Sequence, residues 1–428
     1  TPIILCILLA KKRCRRGFSR PFLGGDRQPG PNSPTIWIHA VSLGEVVAVT
    51  PLVKALQQRY PGHRLIVSTV TETGREAVEQ RLAGVAEHRY APLDLPWAVS
   101  RAIAQWRPVL YLFVETELWP NLLWSLRDRG VPAVLVNGRL SSRSFARQQM
   151  VGVASFYRSV IRSLALCVMQ SDRDAQRIIA LGADPACVYR AGNIKFDQPM
   201  PAPLEPSFRA SLGVGAGEVL IVAGSTHGGE EEAVVNAYRE VVRMCPSAVL
   251  MLAPRHLERV DAVVAAIQAA GLVVQRKSRG QGVGRGPRVI VLDTRGELAR
   301  AYGEAAMAFV GGTLVPVGGH NLLEPAVWGK PVLFGPHTDH CAEIAGMLLD
   351  AGGGVRVTGF DELARQMGRW LTDASEGAKA GVAARRMVLE NQGALQRSLE
   401  LIERCLPPST SSAGTGTRQV GEPALAGP

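Results

Sequence analysis

Carboxylate side chains follow two apolar runs in the first half of the chain. Ser42 and Glu45 come after one run, and Glu115 and Glu117 after another. A glutamate at a strand end can take the proton of a hydroxyl group and act as a general base. The Ser-x-x-Glu pattern is equally that of a capping box, in which both side chains satisfy backbone N–H groups at a helix start. The residues alone leave both interpretations of Glu45 open, and one glutamate of the second pair can be a structural acceptor.

Small and cationic residues in the second half suit the binding of a phosphate. Ser225 and Thr226 lie in a loop of small residues that opens a predicted helix, where anions commonly meet free backbone N–H groups. Arg255 and His256 follow the next apolar run and offer a cation and a titratable ring to a phosphate or a carboxylate. These residues predict an anion site at the strand ends.

A third loop of the second half combines glycines with hydrogen-bonding side chains. Gly312 and Thr313 follow an apolar run, and Gly319 lies a few residues further on. Paired glycines let the backbone approach a ligand closely. Asn321 and Glu324 begin a predicted helix, and Glu324 can accept hydrogen bonds from ribose hydroxyl groups. The alternative for Glu324 is another capping interaction.

Arginines recur four residues apart after the apolar run that ends at residue 136. Arg139, Arg143 and Arg147 share one face of this segment if it is helical. A solvated charged face is the plain interpretation. Because acidic partners are absent nearby in the sequence, contact with phosphates or with a membrane surface is the sharper one.

Several common sites are not indicated by the sequence. No Gly-Lys-Ser/Thr completes a P-loop, no G-x-G-x-x-G follows an apolar run, and no G-x-S-x-G elbow indicates a hydrolase. The seven cysteines form no C-x-x-C pair, which predicts reduced thiols. His337, His340 and Cys341 lack a second ligand cluster at zinc-site spacing. We therefore predict no metal site and no cofactor.

The elements that must position these residues alternate along the chain. Short runs of valine, isoleucine and leucine are followed by turns and longer amphipathic stretches, which predicts βαβ units with strands buried on both faces. The runs are residues 36–41, 65–70, 109–114, 133–136, 166–169, 219–223, 248–252, 289–292, 307–310 and 331–334. We expect an α/β protein with two Rossmann-like domains that face each other across a cleft.

Composition divides the chain into four parts. We predict a basic, membrane-associating segment in residues 1–34, two domains in residues 35–205 and 206–405, and a disordered tail in residues 406–428. Prolines in residues 198–207 indicate a linker, and residues 277–287 are a Gly- and Arg-rich insert. The apolar run at the start is shorter than the about 20 residues that span a bilayer. With the basic cluster behind it, it is either the remainder of an anchor or a frayed basic terminus.

The net charge limits the classes of partner. The 428 residues carry a formal charge of +11, which favours phosphates, anionic lipid headgroups or nucleic acid. Aromatic residues make up only 6%, and no basic stretch alternates with aromatics that would stack on bases, so no nucleic-acid partner is predicted. Together the loops predict acid–base chemistry in the first domain and nucleotide-phosphate binding in the second. A two-domain nucleotide-sugar transferase needs this division.

Seven segments resemble the transferases of 3-deoxy-D-manno-octulosonic acid (Kdo), in order and at family-like spacing. They are residues 37–45 (WIHAVSLGE), 115–120 (ETELWP), 137–141 (NGRLS), 192–197 (GNIKFD), 224–227 (GSTH), 254–256 (PRH) and 318–325 (GGHNLLEP). Any one segment is weak evidence, but seven in sequence are specific. The resemblance implies a GT-B fold, CMP-Kdo as donor, a lipid A precursor as acceptor, no metal, and inversion at the anomeric carbon.

The resemblance also implies roles for individual residues. Glu45 would be the general base, with Glu115 or Glu117 supporting the site. The donor would be held by Lys195, Ser225, Thr226, Arg255, His256, Gly312, Thr313, Gly319, Asn321 and Glu324. The acceptor would be held by Ser42, Gly44, Arg139, Ser141 and Arg143. Such an enzyme would act in lipopolysaccharide core biosynthesis at the cytoplasmic face of the inner membrane.

Three features depart from the family pattern, and two alternatives stay open. Thr313 stands where serine is expected, although the hydroxyl is kept, and the Gly/Arg insert and polar tail receive no role. The first alternative is another GT-B nucleotide-sugar transferase or epimerase. The second is a non-catalytic protein that binds a nucleotide or a membrane surface. Glu45 discriminates between enzyme and binding protein, because mere binding does not need a carboxylate at this place.

Overall fold

The computed structural model describes residues 33–115, 117–150, 152–197, 203–280 and 286–406, apart from the side chains of Arg143 and Pro206. Most of the predicted N-terminal segment and tail, half of the predicted linker (residues 198–202) and the centre of the Gly/Arg insert lie outside these ranges. The chain divides into two units, with boundaries after Asp197 and before Gly393.

The first unit is built on one parallel sheet. Its strands are β1 (Thr35–His39), β2 (Arg64–Thr69), β3 (Glu87–Tyr90), β4 (Pro108–Val114), β5 (Ala133–Gly138), β6 (Leu166–Met169) and β7 (Val188–Arg190). They lie in the order β3-β2-β1-β4-β5-β6-β7. Because a parallel pair needs a crossover connection, helices separate the strands and cover the sheet. They are α1 (Leu43–Arg59), α2 (Glu72–Arg81), α3 (Pro96–Trp106), α4 (Pro120–Arg127), α5 (Ser142–Gln148), α6 (Ala154–Ile161) and α7 (Asp172–Ala180).

The second unit repeats this architecture. Its strands are β8 (Val219–Thr226), β9 (Ala248–Pro254), β10 (Val274–Arg276), β11 (Val289–Val291), β12 (Met307–Val310), β13 (Val332–Phe334) and β14 (Gly354–Arg356). They form a parallel sheet in the order β10-β11-β9-β8-β12-β13-β14. Its helices are α8 (Pro206–Ser211), α9 (Glu230–Met244), α10 (Val260–Ala269), α11 (Leu298–Glu304), α12 (Leu323–Val327), α13 (Ala342–Asp350), α14 (Phe360–Thr372) and α15 (Ala374–Glu390).

Apolar side chains on both faces of each sheet explain this layering. In the first unit, Ile36 and Ile38 of β1 point into one core, while Trp37 on the opposite face packs with Tyr111 and Phe113 of β4. In the second unit the two faces of the sheet likewise bury separate clusters. Alternate residues of a strand point to opposite faces, so a sheet covered on both sides needs continuous apolar strands. The prediction of an α/β protein with parallel sheets is confirmed.

The last described helix, α16 (Ala394–Glu403), belongs to the first unit rather than the second. Leu399 and Ile402 are buried in the core that also contains Ile36 and Ile38 of β1. The second predicted domain extended to residue 405, so the observed boundary differs. The boundary differs because α16 buries its apolar face in the first unit. The sequence of α16 does not indicate which unit this face packs against. None of the described helices is long and apolar enough to cross a membrane.

Candidate active site

The predicted catalytic residues follow strands that are neighbours in the first sheet. Glu45 lies near the start of α1 after β1, while Glu115 and Glu117 follow β4, which pairs with β1. The carboxyl ends of parallel strands lie at one edge of a sheet, which is where open α/β sheets bind ligands. The structure brings the three carboxylates close enough for the charges of Glu115 and Glu117 to act on Glu45.

The Glu45 carboxylate is held by the residues that precede α1. The backbone N–H of Val41 donates to Oε2 at 2.8 Å, and the Ser42 hydroxyl donates to Oε1 at 3.0 Å. The Ser42 side chain accepts no hydrogen bond from the helix backbone. In a capping box the glutamate accepts the N–H of the cap residue, whose side chain accepts a helix N–H in return. Here Glu45 accepts the N–H of Val41, one residue before the cap residue Ser42, so among the described residues neither of these two hydrogen bonds is formed.

The pKa of Glu45 separates it from an ordinary capping glutamate. Burial raises the pKa of its carboxyl to about 7, with a further contribution from Glu115 and Glu117 against the opposing hydrogen bond from Val41. Glu362 occupies the same third position of a helix, α14, and accepts the N–H and the hydroxyl of Thr358, each at 2.8 Å. Those hydrogen bonds lower the pKa of Glu362. The raised value at Glu45 thus comes from its surroundings and not from capping.

The loop after β4 places one carboxylate in an ion pair and the other in a less polar setting. Lys195 Nζ lies 3.1 Å from Glu115 Oε1, so this predicted donor residue is engaged within the first unit. Burial raises the pKa of Glu117, whose Oε2 accepts the indole N–H of Trp119 at 3.4 Å. Thr116, between the two glutamates, lies outside the described residues.

Backbone strain marks the same strand ends. Four described non-glycine residues have φ in the left-handed region. Arg107 is the ordinary case, because it ends a helix. The others are Glu115 (φ 59°), Asn137 (φ 54°) and Ser225 (φ 56°), and each lies at a strand end within a segment already singled out from the sequence. Such strain persists where the surrounding structure enforces it, commonly at functional sites.

The predicted acceptor residues are only partly brought together. Gly44 lies beside Glu45, and a Cβ added to it would meet nothing closer than the Ser42 hydroxyl at 4.0 Å. Arg139 and Ser141 follow β5, the next strand of the sheet, where the Ser141 hydroxyl caps α5 by accepting the N–H of Ser144 at 3.1 Å. Within the described part of the chain no hydrogen bond or ion pair joins Arg139 or Ser141 to Glu45. The side chain of Arg143 lies outside that part.

Apart from Lys195, the predicted donor residues lie at or after the ends of three adjacent strands of the second sheet, β9, β8 and β12. The Arg255 N–H donates to the Thr226 carbonyl at 2.9 Å, and the Gly319 N–H donates to the Gly312 carbonyl at 2.7 Å. A Cβ on Gly311 would lie 2.5 Å from the Ser225 carbonyl oxygen, so these two loops touch through their backbones. The Arg255 and His256 side chains are exposed at this edge.

Asn321 and Glu324 take part in capping. Asn321 Oδ1 accepts the N–H of Leu323 at 3.1 Å at the start of α12, and its amide group donates to Glu324 Oε1 at 3.3 Å. The capping interaction that the sequence left open for Glu324 is therefore formed in part. A ribose would have to share or replace the Asn321 contact.

Two histidines that were not predicted as site residues, His227 and His320, also lie at this edge. His227 Nε2 and His320 Nε2 are 2.8 Å apart, and the His256 ring packs edge-on against His227. Burial lowers the pKa of His320 to about 4 and lowers that of His227. Two neutral imidazoles can share one hydrogen bond without repulsion. No described group of three or more His, Cys, Asp or Glu residues is arranged to hold a metal ion.

Glu230, the first residue of α9, was likewise not predicted as a site residue. We expected an anion to meet free N–H groups at this helix start. The structure shows that Glu230 itself accepts the His227 N–H at 2.9 Å, and that Glu231 and Glu232 follow in the first turn. The Glu230 carboxylate therefore takes the place of a bound anion at this helix start. The negative charges of the three glutamates disfavour the binding of a further anion there.

Comparison with known proteins identifies the family. The profile described as "3-Deoxy-D-manno-octulosonic-acid transferase (kdotransferase)" matches residues 12–198. The 3-deoxy-D-manno-octulosonic acid transferase of Haemophilus influenzae is 36% identical over 410 residues, which cover 94% of this chain and 95% of the relative. The chain belongs to the Kdo transferase family. A second relative with the same name, from Bordetella pertussis, is 34% identical over 89% of each chain.

Membership of the Kdo transferase family confirms the resemblance noted from the sequence and the prediction of a glycosyltransferase. A solved glycosyltransferase from Rickettsia africae shares the fold with a TM-score of 0.57, covering 89% of this chain and 100% of that one. At 13% identity that likeness concerns the fold alone. With two parallel-sheet units in the chain, the predicted GT-B class is confirmed.

Proposed function

We propose that this Kdo transferase moves Kdo from CMP-Kdo to a lipid A precursor, in lipopolysaccharide core biosynthesis, with inversion at the anomeric carbon. Family membership supports the transfer of Kdo, and the division of residue types between the two units supports the assignment of donor and acceptor. The single observation that carries the chemistry is the Glu45 carboxylate with its pKa of about 7.

In the proposed reaction Glu45 is the general base. An acceptor hydroxyl oxygen bonds to the anomeric carbon of Kdo while its proton passes to the Glu45 carboxylate. The bond from that carbon to the phosphate oxygen breaks, and its electron pair leaves with CMP. A base works best when its pKa lies near the working pH, because it is then both available and strong enough to hold the proton. A carboxyl at its ordinary value of 4.5 would be a much weaker base than Glu45.

Glu115 and Glu117 support the base electrostatically. Their negative charges stabilise the protonated form of Glu45. Glu45 takes this form when it accepts the proton of the acceptor hydroxyl. Lys195 neutralises Glu115 at 3.1 Å and so limits this effect. We assign Lys195 a part in tuning the base, besides the contact with the donor expected from the family.

Side chains in the second unit are proposed to hold CMP. The Thr226 hydroxyl is fully buried and has no hydrogen-bond partner among the described residues. The Arg255 guanidinium is exposed, and within the described chain no ion pair engages it, which leaves its charge available to a phosphate. We propose that Ser225, His256, Gly312, Thr313, Gly319, Asn321 and Glu324 complete the donor site with these two.

The acceptor is proposed to be reached at a membrane surface on the cytoplasmic face of the inner membrane. Met150 and Phe156 are exposed apolar side chains, 58% and 44% accessible. Arg147 and Arg158 are exposed in the same stretch of the chain. Apolar side chains flanked by cations favour the boundary of an anionic lipid layer, and the phosphates of a lipid A precursor offer the same charge.

The test is transfer in detergent solution with CMP-Kdo, a lipid A precursor and a chelator, followed through the mass of the acceptor. We expect a gain of one or more Kdo units with the wild-type protein, loss of the gain with Glu45→Gln, and wild-type transfer with Glu362→Gln. The control glutamate has the same helix position and the same type of capping contact, but lies outside the proposed site. Unchanged transfer with Glu45→Gln would exclude Glu45 as the base, and no gain with a folded wild type would exclude this acceptor or donor.

A further inference from the structure

The carboxylate of Glu230 is fully buried, at 0% accessibility, and accepts four backbone hydrogen bonds. Oε2 accepts the N–H groups of Gly312 at 2.7 Å and His227 at 2.9 Å. Oε1 accepts those of Thr313 at 2.9 Å and Leu314 at 2.8 Å. An ionised carboxylate has about four acceptor sites, so this group is saturated by the backbone of two loops.

The three N–H groups of residues 312–314 form a cradle of the kind that binds anions. Gly312 has φ +71°, which turns successive N–H groups toward one point. Backbone cradles of this type commonly hold phosphates or sulfates. Here the Glu230 carboxylate fills the cradle from within the protein, so the cradle is not itself open to a ligand.

The same carboxylate ties two loops of the proposed donor site to each other. Residues 225–227 span the end of β8, and residues 311–314 follow β12, the neighbouring strand. Gly311 stands so close to Ser225 and Thr226 that a Cβ there would lie 2.6 Å from the Thr226 Cα. Glu230 bonds to one N–H group of the first loop and three of the second.

We infer that Glu230 is a positioning residue for donor binding, which fixes the loop of residues 311–314 against residues 225–227 without touching the donor. This inference rests on the proposed function, which places Thr226, Gly312 and Thr313 around CMP. A loop fixed before binding does not have to be ordered by the ligand, and affinity rises accordingly. Replacing the carboxylate with an amide leaves two N–H groups facing an NH₂ group, which cannot accept them.

Glu231 provides a matched control. It is the next residue of α9, is almost as buried at 5% accessibility, and also holds a charged contact, with Arg259 Nη1 at 2.7 Å. Its contact is a side-chain ion pair with the segment after β9 and involves no backbone group of the 311–314 loop. Glu230→Gln and Glu231→Gln therefore remove the same charge from the same helix turn, but only the first releases the loop.

The experiment is calorimetric titration of the full-length wild type and both variants with CMP, with thermal melting and the Michaelis constants for donor and acceptor measured alongside. For Glu230→Gln we expect the CMP dissociation constant to rise about 10- to 100-fold, the range for lost hydrogen bonds to a charged group. The donor KM should rise in parallel, while the acceptor KM stays unchanged. Glu231→Gln should also lower the melting temperature, because Arg259 loses its partner, but it should keep the wild-type affinity for CMP.

The outcomes separate this inference from the proposed function. If the wild type binds CMP and Glu230→Gln binds it equally well, the positioning role is excluded and the proposed function stands. An equal loss of affinity in both variants would reduce Glu230 to a structural residue. If the folded wild type does not bind CMP, the proposed donor is excluded. Glu230→Asp and Glu231→Asp provide the same comparison if a glutamine variant does not fold.

Discussion

The ammonium group of Lys195 lies 3.1 Å from Glu115 Oε1, across 80 residues of sequence. Asn193 caps the short 3₁₀ turn that contains Lys195, and its Oδ1 accepts the backbone N–H of Lys195 at 3.0 Å. The pair joins the segment after β7 to the loop after β4. Because Glu115 is one of the charges that raise the pKa of Glu45, Lys195 acts on the proposed base through a third residue.

The first prediction concerns the pH dependence of transfer. For the wild type, kcat/KM should rise with pH to a plateau with a midpoint near 7, since Glu45 must be deprotonated to act as a base. Lys195→Met leaves the charge of Glu115 uncompensated, which raises the pKa of Glu45, so the midpoint should move upward. The profile is measured between about pH 5.5 and 9.

Lys54→Met, at an exposed position of α1, should keep the wild-type midpoint. An unchanged or lowered midpoint in Lys195→Met would contradict the coupling.

The second prediction concerns stability and pH at Glu45. In the folded protein this carboxyl has a pKa of about 7 against an ordinary value of 4.5, so folding takes up a proton between these values. The stability contributed by the protonated carboxyl is present at low pH and is lost as the pH rises through 7. Glu45→Gln removes this titration, so its melting temperature relative to the wild type should increase from pH 5 to pH 8.

Glu362→Gln should show the opposite behaviour. The pKa of Glu362 is lowered by its hydrogen bonds with Thr358, so its stabilising contribution is present above the ordinary value and is lost only at lower pH. This variant should melt below the wild type at pH 8 and approach it in acid. Parallel curves for the two variants would show that Glu45 is an ordinary capping residue.

The third prediction concerns Gly44 and the acceptor. A Cβ on Gly44 has free space, and alanine is favoured over glycine within helices by about 1 kcal/mol, so Gly44→Ala should not lower the melting temperature. If the acceptor passes over this residue, the added methyl group should raise the acceptor KM about tenfold and leave the donor KM unchanged. Gly62→Ala, on an exposed turn with nothing within 4 Å, should change neither constant. A wild-type acceptor KM in Gly44→Ala would remove this glycine from the acceptor site.

The fourth prediction concerns the attachment of α16. Asp197 accepts the N–H groups of Gly393 at 2.5 Å and Leu395 at 2.6 Å, and so caps this helix from the end of the first unit. Asp197→Ala should cost about 1–3 kcal/mol and speed the hydrogen exchange of amides in residues 394–403. Asp184→Ala, which removes a cap from a short 3₁₀ turn in the same unit, should leave that exchange unchanged. Equal protection in both variants would mean that apolar packing alone holds α16.

The interior of each sheet could be predicted from the sequence, whereas its edges could not. The predicted apolar runs coincide with strands such as β4 and β8, which have neighbours on both sides. The strands β3, β7, β10 and β14 were not predicted, and they are the four edge strands. β3, with the sequence EHRY, has no fully buried residue. An edge strand needs no continuous apolar run, because one of its sides faces away from the sheet.

The site was predictable where its residues stand directly at strand ends, and not where distant loops meet. Glu45 and Glu115 could be singled out because turn residues after apolar runs mark the edge at which parallel strands end. The role of Glu230 depends on N–H groups that lie 82 to 84 residues further along the chain. No local pattern contains that information, since a glutamate in the first turn of a helix is common for electrostatic reasons alone.

The return of α16 to the first unit has a consequence for biosynthesis. Core residues of that unit, Leu399 and Ile402 among them, are translated after the whole second unit. Asp197 and Gly393 are 196 positions apart, which corresponds to about 10–40 s of translation. During this interval the nascent first unit leaves the ribosome with part of its apolar core uncovered, while the second unit already has its complete sequence. The half of the protein that is made first is therefore the half that is finished last.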